Sequence, residues 1–400
     1  MEKTKTSMWN AAFLKILAVQ FCMQMGQQMM NTLVPKYANA LGATASVVGL
    51  VSSIFSIAST LILLVATPAF DCYSRKKMLM LSIAGLTITF IGYGISTSVP
   101  ALFAFRILHG FSQGCSSTLT LVMVSDTLSS ENMGRGIGIF TLCQAVGQAV
   151  GPSFGLSLST SIGYSWTFFL GASAIFLAFV LASRIQDIPR PTKPYKIAFD
   201  RIIDREAIHP AVLIMALQGP YCCVSSFIAI YGALRGVENI GLYFTVYAIC
   251  LLVTRPLSGS LIDKIGHEIV LIAGIVCFGL SFYIISIAHS LTPFLIASAV
   301  SAFGYGICQP TLSYMSMSCA PVERRGAASS TNNIGMSIGF FLGVTAAGYV
   351  VDWLNARMGS EVEAYSRMYV VMIVPMAFAL VYFLATRKRI RNSIQNAREN

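Results

Sequence analysis

The sequence predicts an all-α membrane protein of twelve transmembrane helices in two related six-helix halves. Three observations carry this expectation: composition, the spacing of apolar stretches and an internal repeat. Of 400 residues, 55% are hydrophobic and only 11% charged, with a mean hydropathy of +0.70, whereas soluble domains carry about 25% charged residues. A helix crosses a bilayer with about 20 apolar residues, and about twelve such stretches fill the chain, leaving no room for a sizeable soluble domain. Function must then lie among the helices.

In order, the spans are expected near 11–34, 45–66, 78–97, 101–124, 136–158 and 164–184, then 210–232, 241–260, 269–288, 292–317, 327–350 and 367–386. The first begins directly after a basic N-terminus and is too long for a signal-peptide core, so it reads as an uncleaved helix. The largest hydrophilic interval separates the two sets of six. It defines an N-terminal bundle (1–185), a linker (186–209) and a C-terminal bundle with a basic tail (210–400). About twenty Lys and Arg lie on the side of the N-terminus, the linker and the tail, and about four lie opposite. That bias places both termini in the cytoplasm of a multi-pass plasma-membrane protein.

The repeat has an offset near 190 residues. Asp71 and Asp263 follow the second and eighth spans, and Glu131 with Arg135 and Glu323 with Arg325 precede the fifth and eleventh. A glycine ladder at Gly147, Gly151 and Gly155 recurs as Gly335, Gly339 and Gly343. Three coincidences in order are what a duplicated six-helix unit leaves. The ladders make smooth faces for close helix packing, and Pro152 should bend the first. The loop charges Asp71, Arg75, Lys76, Glu131, Arg135, Asp263, Lys264, Glu323 and Arg325 form a candidate gating network, although exposed pairs are worth only about 0–1 kcal/mol each.

The fourth span carries the most informative residue. Arg106, His109, Gln113, Ser116, Ser117 and Thr120 share one helical face. An arginine at mid-membrane depth costs roughly 2.5–3.5 kcal/mol even on the lenient insertion scale, so it should face protein or a water-filled path. Further polar stripes comprise Gln20, Gln24, Gln27, Gln28 and Asn31 in the first span and Gln218, Tyr221, Cys222 and Ser225 in the seventh. Others are Tyr305, Gln309, Ser313 and Ser316 in the tenth, with Gln144, Gln148, Asn332 and Asn333 in the fifth and eleventh. Plain interhelical hydrogen bonding accounts for some of these. All acids fall in loops, tails or helix ends, so the path holds no mid-membrane carboxylate to favour a cation. His109, with a reference pKa of about 6.5, is the titratable neighbour of Arg106.

The segment Arg255 to Val270, RPLSGSLIDKIGHEIV, resembles the loop signature of the major facilitator superfamily in its second-half copy, with Gly259, Asp263, Lys264 and Gly266 in the expected places. The first copy, TPAFDCYSRKKML, matches at Asp71, Arg75 and Lys76 but has Thr67, Cys72 and Ser74 where glycine, arginine and glycine are usual. FRILHGFSQG is similar to the fourth-helix motif, at Arg106, Gly110 and Gly114, and GQAVGPSFG is similar to the fifth-helix glycine-proline motif of exchange-driven exporters. The resemblance implies two six-helix bundles around a cavity lined mainly by the first, fourth, seventh and tenth helices and opened alternately to each side.

The expected function is secondary active transport, as proton-coupled efflux of a small organic or drug-like solute. The alternative is uptake or exchange of an organic anion or a neutral polar solute such as a sugar, and a non-transporting sensor is the remote one. The path residues would be Arg106, His109, Gln113, Gln24, Gln28, Asn31, Gln144, Gln148, Gln218, Tyr221, Tyr305, Gln309 and Asn333. The net charge of +11 lies in loops and tails and does not imply nucleic acid. The ten cysteines form no C-x-x-C pair and read as small buried hydrophobes. No P-loop, H-E-x-x-H or G-x-S-x-G occurs, so no enzyme, cofactor or metal is expected. The partners are a small-molecule substrate, a coupling proton and the lipid bilayer, and the protein is expected to act as a monomer.

Overall fold

The computed structural model describes residues 9–128, 132–187, 203–321 and 324–399, all in helices and short connections. The helices are α1 (Ala11–Ala40), α2 (Ala45–Cys72), α3 (Arg75–Ile95), α4 (Val99–Thr127), α5 (Met133–Ile162) and α6 (Tyr164–Ser183). They continue as α7 (Ile208–Leu234), α8 (Leu242–Ile265), α9 (His267–Ser286), α10 (Leu291–Ser318), α11 (Arg325–Met358), α12 (Glu361–Val371) and α13 (Ile373–Glu399). Only Met372 separates α12 from α13, so the two make one rod at the position of the expected twelfth span.

Among the described residues, nine helices are long and apolar enough to cross a membrane, and α8 adds a shorter apolar stretch, Leu242–Arg255. The long helices α1 and α4 fall outside that set because they carry the glutamine and Arg106 stripes. Polarity that lowers their hydropathy is the same polarity that builds the site.

The chain forms two compact units, one of residues 1–34 and 58–197, the other of residues 35–57 and 198–400. Of the expected linker, residues 188–202 lie outside the described set, and Ile208 and His209 already belong to α7. In addition, α1 changes unit in its last two turns, after Val34, and α2 near its middle, after Ile57, so the hairpin 35–57 packs with the second unit.

In the first unit α3 packs on α4 and α6. Phe13, Phe90, Tyr93 and Phe168 are fully buried there. The glycine ladder of α5 lies on α1: a Cβ at Gly151 would stand 2.7 Å from Gln28 Cβ and 3.1 Å from the Met25 carbonyl oxygen. In the second unit α11 packs on α7 and α10 on α9. A Cβ at Gly335 would be 2.6 Å from the Ala211 carbonyl oxygen. Backbones approach this closely only where side chains are absent.

The loop signature explains its own departure. Gly266 joins α8 to α9 at φ +83°, a left-handed conformation that favours glycine. Ser74, its counterpart 192 residues earlier, has φ −60° and instead caps α3, accepting from the Lys77 amide at 3.2 Å and donating to Asp187 at 2.5 Å. The first copy closes its turn with a side-chain cap and needs no glycine.

Of the expected gating network, Glu131 and Glu323 and the side chains of Asp71 and Asp263 lie outside the described residues. Arg75 pairs with Asp126 of α4 at 2.6 Å and donates to the Phe70 carbonyl at 3.1 Å. Lys76 is half-buried, and Arg135, Lys264 and Arg325 are exposed. Arg324 pairs with buried Asp204 at 2.9 Å, and the Asp204 amide donates to Thr331 at 2.8 Å. The basic tail is helical, with Ile390 and Ile394 buried on one face and Arg391 paired to Glu268 at 2.6 Å. Asp126→Asn should lower stability by about 1–3 kcal/mol, the usual cost of stranding a partly buried charged partner. Thermal unfolding in detergent checks this, and adding Arg75→Met to the variant should recover part of the loss.

Candidate functional site

The first unit holds a buried polar cluster built by α1, α3 and α4. Arg106 is 1% exposed and His109 fully buried, one helical turn apart on α4. Gln27, Gln28 and Asn31 face them from α1, and Tyr93 from α3. Arg106 Nη2 donates to Asn31 Oδ1 at 3.4 Å, and Asn31 Nδ2 donates to Gln28 Oε1 at 3.3 Å. The ridge is held close by Gly114, where a Cβ would lie 2.7 Å from the Ser59 carbonyl oxygen on α2.

The hydrogen bonds set the histidine tautomer. Gln27 Nε2 donates to Asn31 Oδ1 at 3.2 Å, which turns Gln27 Oε1 toward His109 Nε2 at 2.5 Å. An amide oxygen only accepts, so Nε2 carries the proton. Nδ1 then accepts from the Tyr93 hydroxyl at 2.9 Å and from Arg106 Nη1 at 3.3 Å. Both ring nitrogens are engaged with the imidazole neutral. A second proton on Nδ1 would point at the guanidinium and displace the Tyr93 donor.

Tyr93 is absent from the sequence-derived set because it is one hydroxyl in an apolar span. The only sequence signal is its helical spacing from Thr89, also buried. Elsewhere on these helices, Gln20 accepts from Thr120 at 2.9 Å, and Gln113 keeps a buried Oε1 with no hydrogen-bond partner. Gln24 lies under Gly147, and Gln144 and Gln148 are half-buried on α5.

The second unit holds an aromatic cluster on α7, α8 and α10. Tyr221 and Tyr305 stack with centroids 4.1 Å apart and planes 8° from parallel. Tyr247 stands 5.9 Å from Tyr221, and Phe278 stands 5.4 Å from Tyr305. The Tyr305 hydroxyl donates to Gln218 Oε1, and Gln218 Nε2 donates to Cys222 Sγ at 3.2 Å. Gln309 is half-buried and Asn333 exposed, while buried Asn332 donates to Ser313 at 3.5 Å.

Half-buried Arg255 lies on the same face of α8 as Tyr247 and Leu251, eight and four residues along the helix. Sequence reading took Arg255 as the first residue of a loop signature and so missed it as a site residue. Each unit thus joins one arginine to a polar or aromatic cluster.

The model of the Major Facilitator Superfamily matches residues 16–239 and 223–400. An uncharacterized MFS-type transporter of Methanocaldococcus jannaschii is 22% identical over 369 residues, 89% of this chain and 93% of its own. The multidrug resistance protein Stp of Mycobacterium tuberculosis is 22% identical over 77% of this chain and 70% of its own. A mutant form of the nucleoside transporter NupG has the same fold, with a TM-score of 0.81 at 13% identity over 94% of this chain and 99% of its own. Together the two matched ranges span nearly the whole chain. The chain is an integral membrane transporter belonging to the Major Facilitator Superfamily.

Proposed function

We propose that the protein exports a small organic solute bearing an anionic group, by alternating access and at the expense of a proton gradient. Arg106 carries the reading. It is a guanidinium 1% exposed, its partners His109 and Asn31 are neutral, and the only acids in α1–α6 are Asp71 and Asp126, near the ends of α2 and α4. The cluster therefore keeps a positive charge, and a planar guanidinium suits a carboxylate or phosphate through two parallel hydrogen bonds. Arg255 adds a second positive group beside the tyrosines. Export is supported by the glycine-proline motif of α5 and by the name of the mycobacterial relative. The Lys and Arg bias supports a plasma membrane and cytoplasmic termini, and a single chain supplies both clusters.

Proteoliposomes loaded with citrate, a simple polycarboxylate, test this. Citrate should leave faster when the acceptor side is acidified. Efflux driven only by an external anion, with no response to pH, would replace proton coupling with anion exchange; no citrate flux under either condition would refute the anion reading.

One observation favours a second reading. The stacked Tyr221 and Tyr305 offer an aromatic face to a planar drug-like solute. On that reading proton-driven ethidium export would be observed, and Arg106→Gln would leave it unchanged.

A further inference from the structure

We infer that Asp352 is a positioning residue of the transport cycle, whose carboxylate clasps the hairpin 35–57 to α11 in the conformation seen and releases it in the other. The inference uses the chain's membership among transporters and is independent of which solute is carried. Asp352 sits near the end of α11, seven residues before the helix stops at Gly359, far along the helix from the ladder glycines. Its two oxygens accept from the first two amides of α2, Ala45 N at 2.9 Å and Ser46 N at 2.9 Å. The first amides of a helix have no intrahelical partner, and the helix dipole makes them a favoured place for a negative charge. Such amides are ordinarily capped by the preceding side chain. Here Thr44 Oγ1 turns to Ser46 Oγ at 3.0 Å instead, and the cap comes from 307 residues away.

The surface beneath this clasp is one that can separate. A Cβ at Gly49 would stand 2.6 Å from the Val344 carbonyl oxygen, and Gly348 abuts the Ala45 carbonyl. Ser53 and Thr345 share a hydrogen bond of 2.9 Å, Ser56 donates to the Ser337 carbonyl at 3.1 Å, and Phe55 meets Phe340 edge-on at 5.3 Å. Beside that aromatic pair, small residues and hydroxyls supply these contacts. The hydroxyls also have partners within their own helix, as when Ser56 donates to the Ser53 carbonyl at 2.8 Å and Ser53 to the Leu50 carbonyl at 3.4 Å. Their bonds across the contact are exchangeable for bonds within α2. The α2 amides at Asp352 have no acceptor within their own helix, and with Thr44 turned to Ser46 it is the charged carboxylate that caps them.

The covalent layout makes this tie matter. The hairpin continues α1 and α2 of the first unit but packs in the second, with the changes of unit falling after Val34 and Ile57. A displacement of the units must therefore either break α1 and α2 or lift 35–57 from α11. Losing a few hydroxyl bonds and one carboxylate clasp costs less than breaking two continuous helices.

Hydrogen–deuterium exchange of the full-length protein in nanodiscs tests the inference. In Asp352→Asn one oxygen becomes an amide NH2 facing a backbone N–H, and exchange across 45–57 should rise about tenfold to a hundredfold, as expected for loss of charge-assisted bonds. The rise should come as one correlated opening, with 208–234 unchanged. In Ser53→Cys/Thr345→Cys, disulfide formation with copper phenanthroline should suppress that opening, and reduction should restore it. Exchange across 45–57 that is unchanged in Asp352→Asn overturns the inference. So does an increase confined to 45–48, which marks only a frayed helix end, or one spread evenly over α7 to α11, which marks general destabilisation.

Discussion

Arg106→Ala is expected to abolish transport while leaving the fold in place. Truncating one partner of a buried, hydrogen-bonded charge pair costs about 2–5 kcal/mol, so affinity for an anionic solute should fall roughly thirtyfold to several-thousandfold. The fold should survive because neither acceptor is stranded. His109 Nδ1 keeps the Tyr93 donor at 2.9 Å, and Asn31 Oδ1 keeps Gln27 at 3.2 Å. Arg106→Lys should fall between wild type and alanine, since it restores the charge without the planar fork. Citrate flux in proteoliposomes, compared with the thermal midpoint of the same preparations, separates loss of function from loss of folding.

Gly339→Leu is expected to have the largest effect on stability. A Cβ at Gly339 would collide with the Met215 carbonyl group on α7, and that atom belongs to a helix backbone that cannot turn aside as a side chain would. Overpacking costs about 1–3 kcal/mol where neighbours can shift, so this site should reach or exceed the upper end. Gly279→Ala is the control in the same unit, because its nearest neighbours would be 3.8 Å and 3.9 Å from the added Cβ. Differential scanning fluorimetry should show a fall in midpoint for the first and little change for the second.

The sequence made the helices legible because each rests on a local property, the length of an apolar run. The repeat was legible because duplication leaves the same residues at one offset. Arg106, His109, Gln28 and Asn31 were found by face and polarity, and the structure brings these four into one cluster. What escaped depends on distant partners. Tyr93 joins the site only because α3 packs beside α4, and within α3 its spacing from Thr89 is the one hint of it. Asp352 resembles any acid near a helix end until its donors are seen to be the amides of Ala45 and Ser46. Arg255 was hidden inside a loop signature, although its eight-residue spacing from Tyr247 places both on one face of α8. The change of unit at Val34 and Ile57 leaves no mark in composition, because both fall inside continuous helices.

The central claim is that the buried guanidinium selects a negative solute, and equilibrium binding to the purified protein tests it most directly. Titration calorimetry should show citrate binding to the wild type, weaker binding as salt rises, and none detectable in Arg106→Gln. Ethidium should bind no better than in that variant. Citrate binding of equal strength in wild type and Arg106→Gln, or ethidium bound in preference to citrate, would contradict the account.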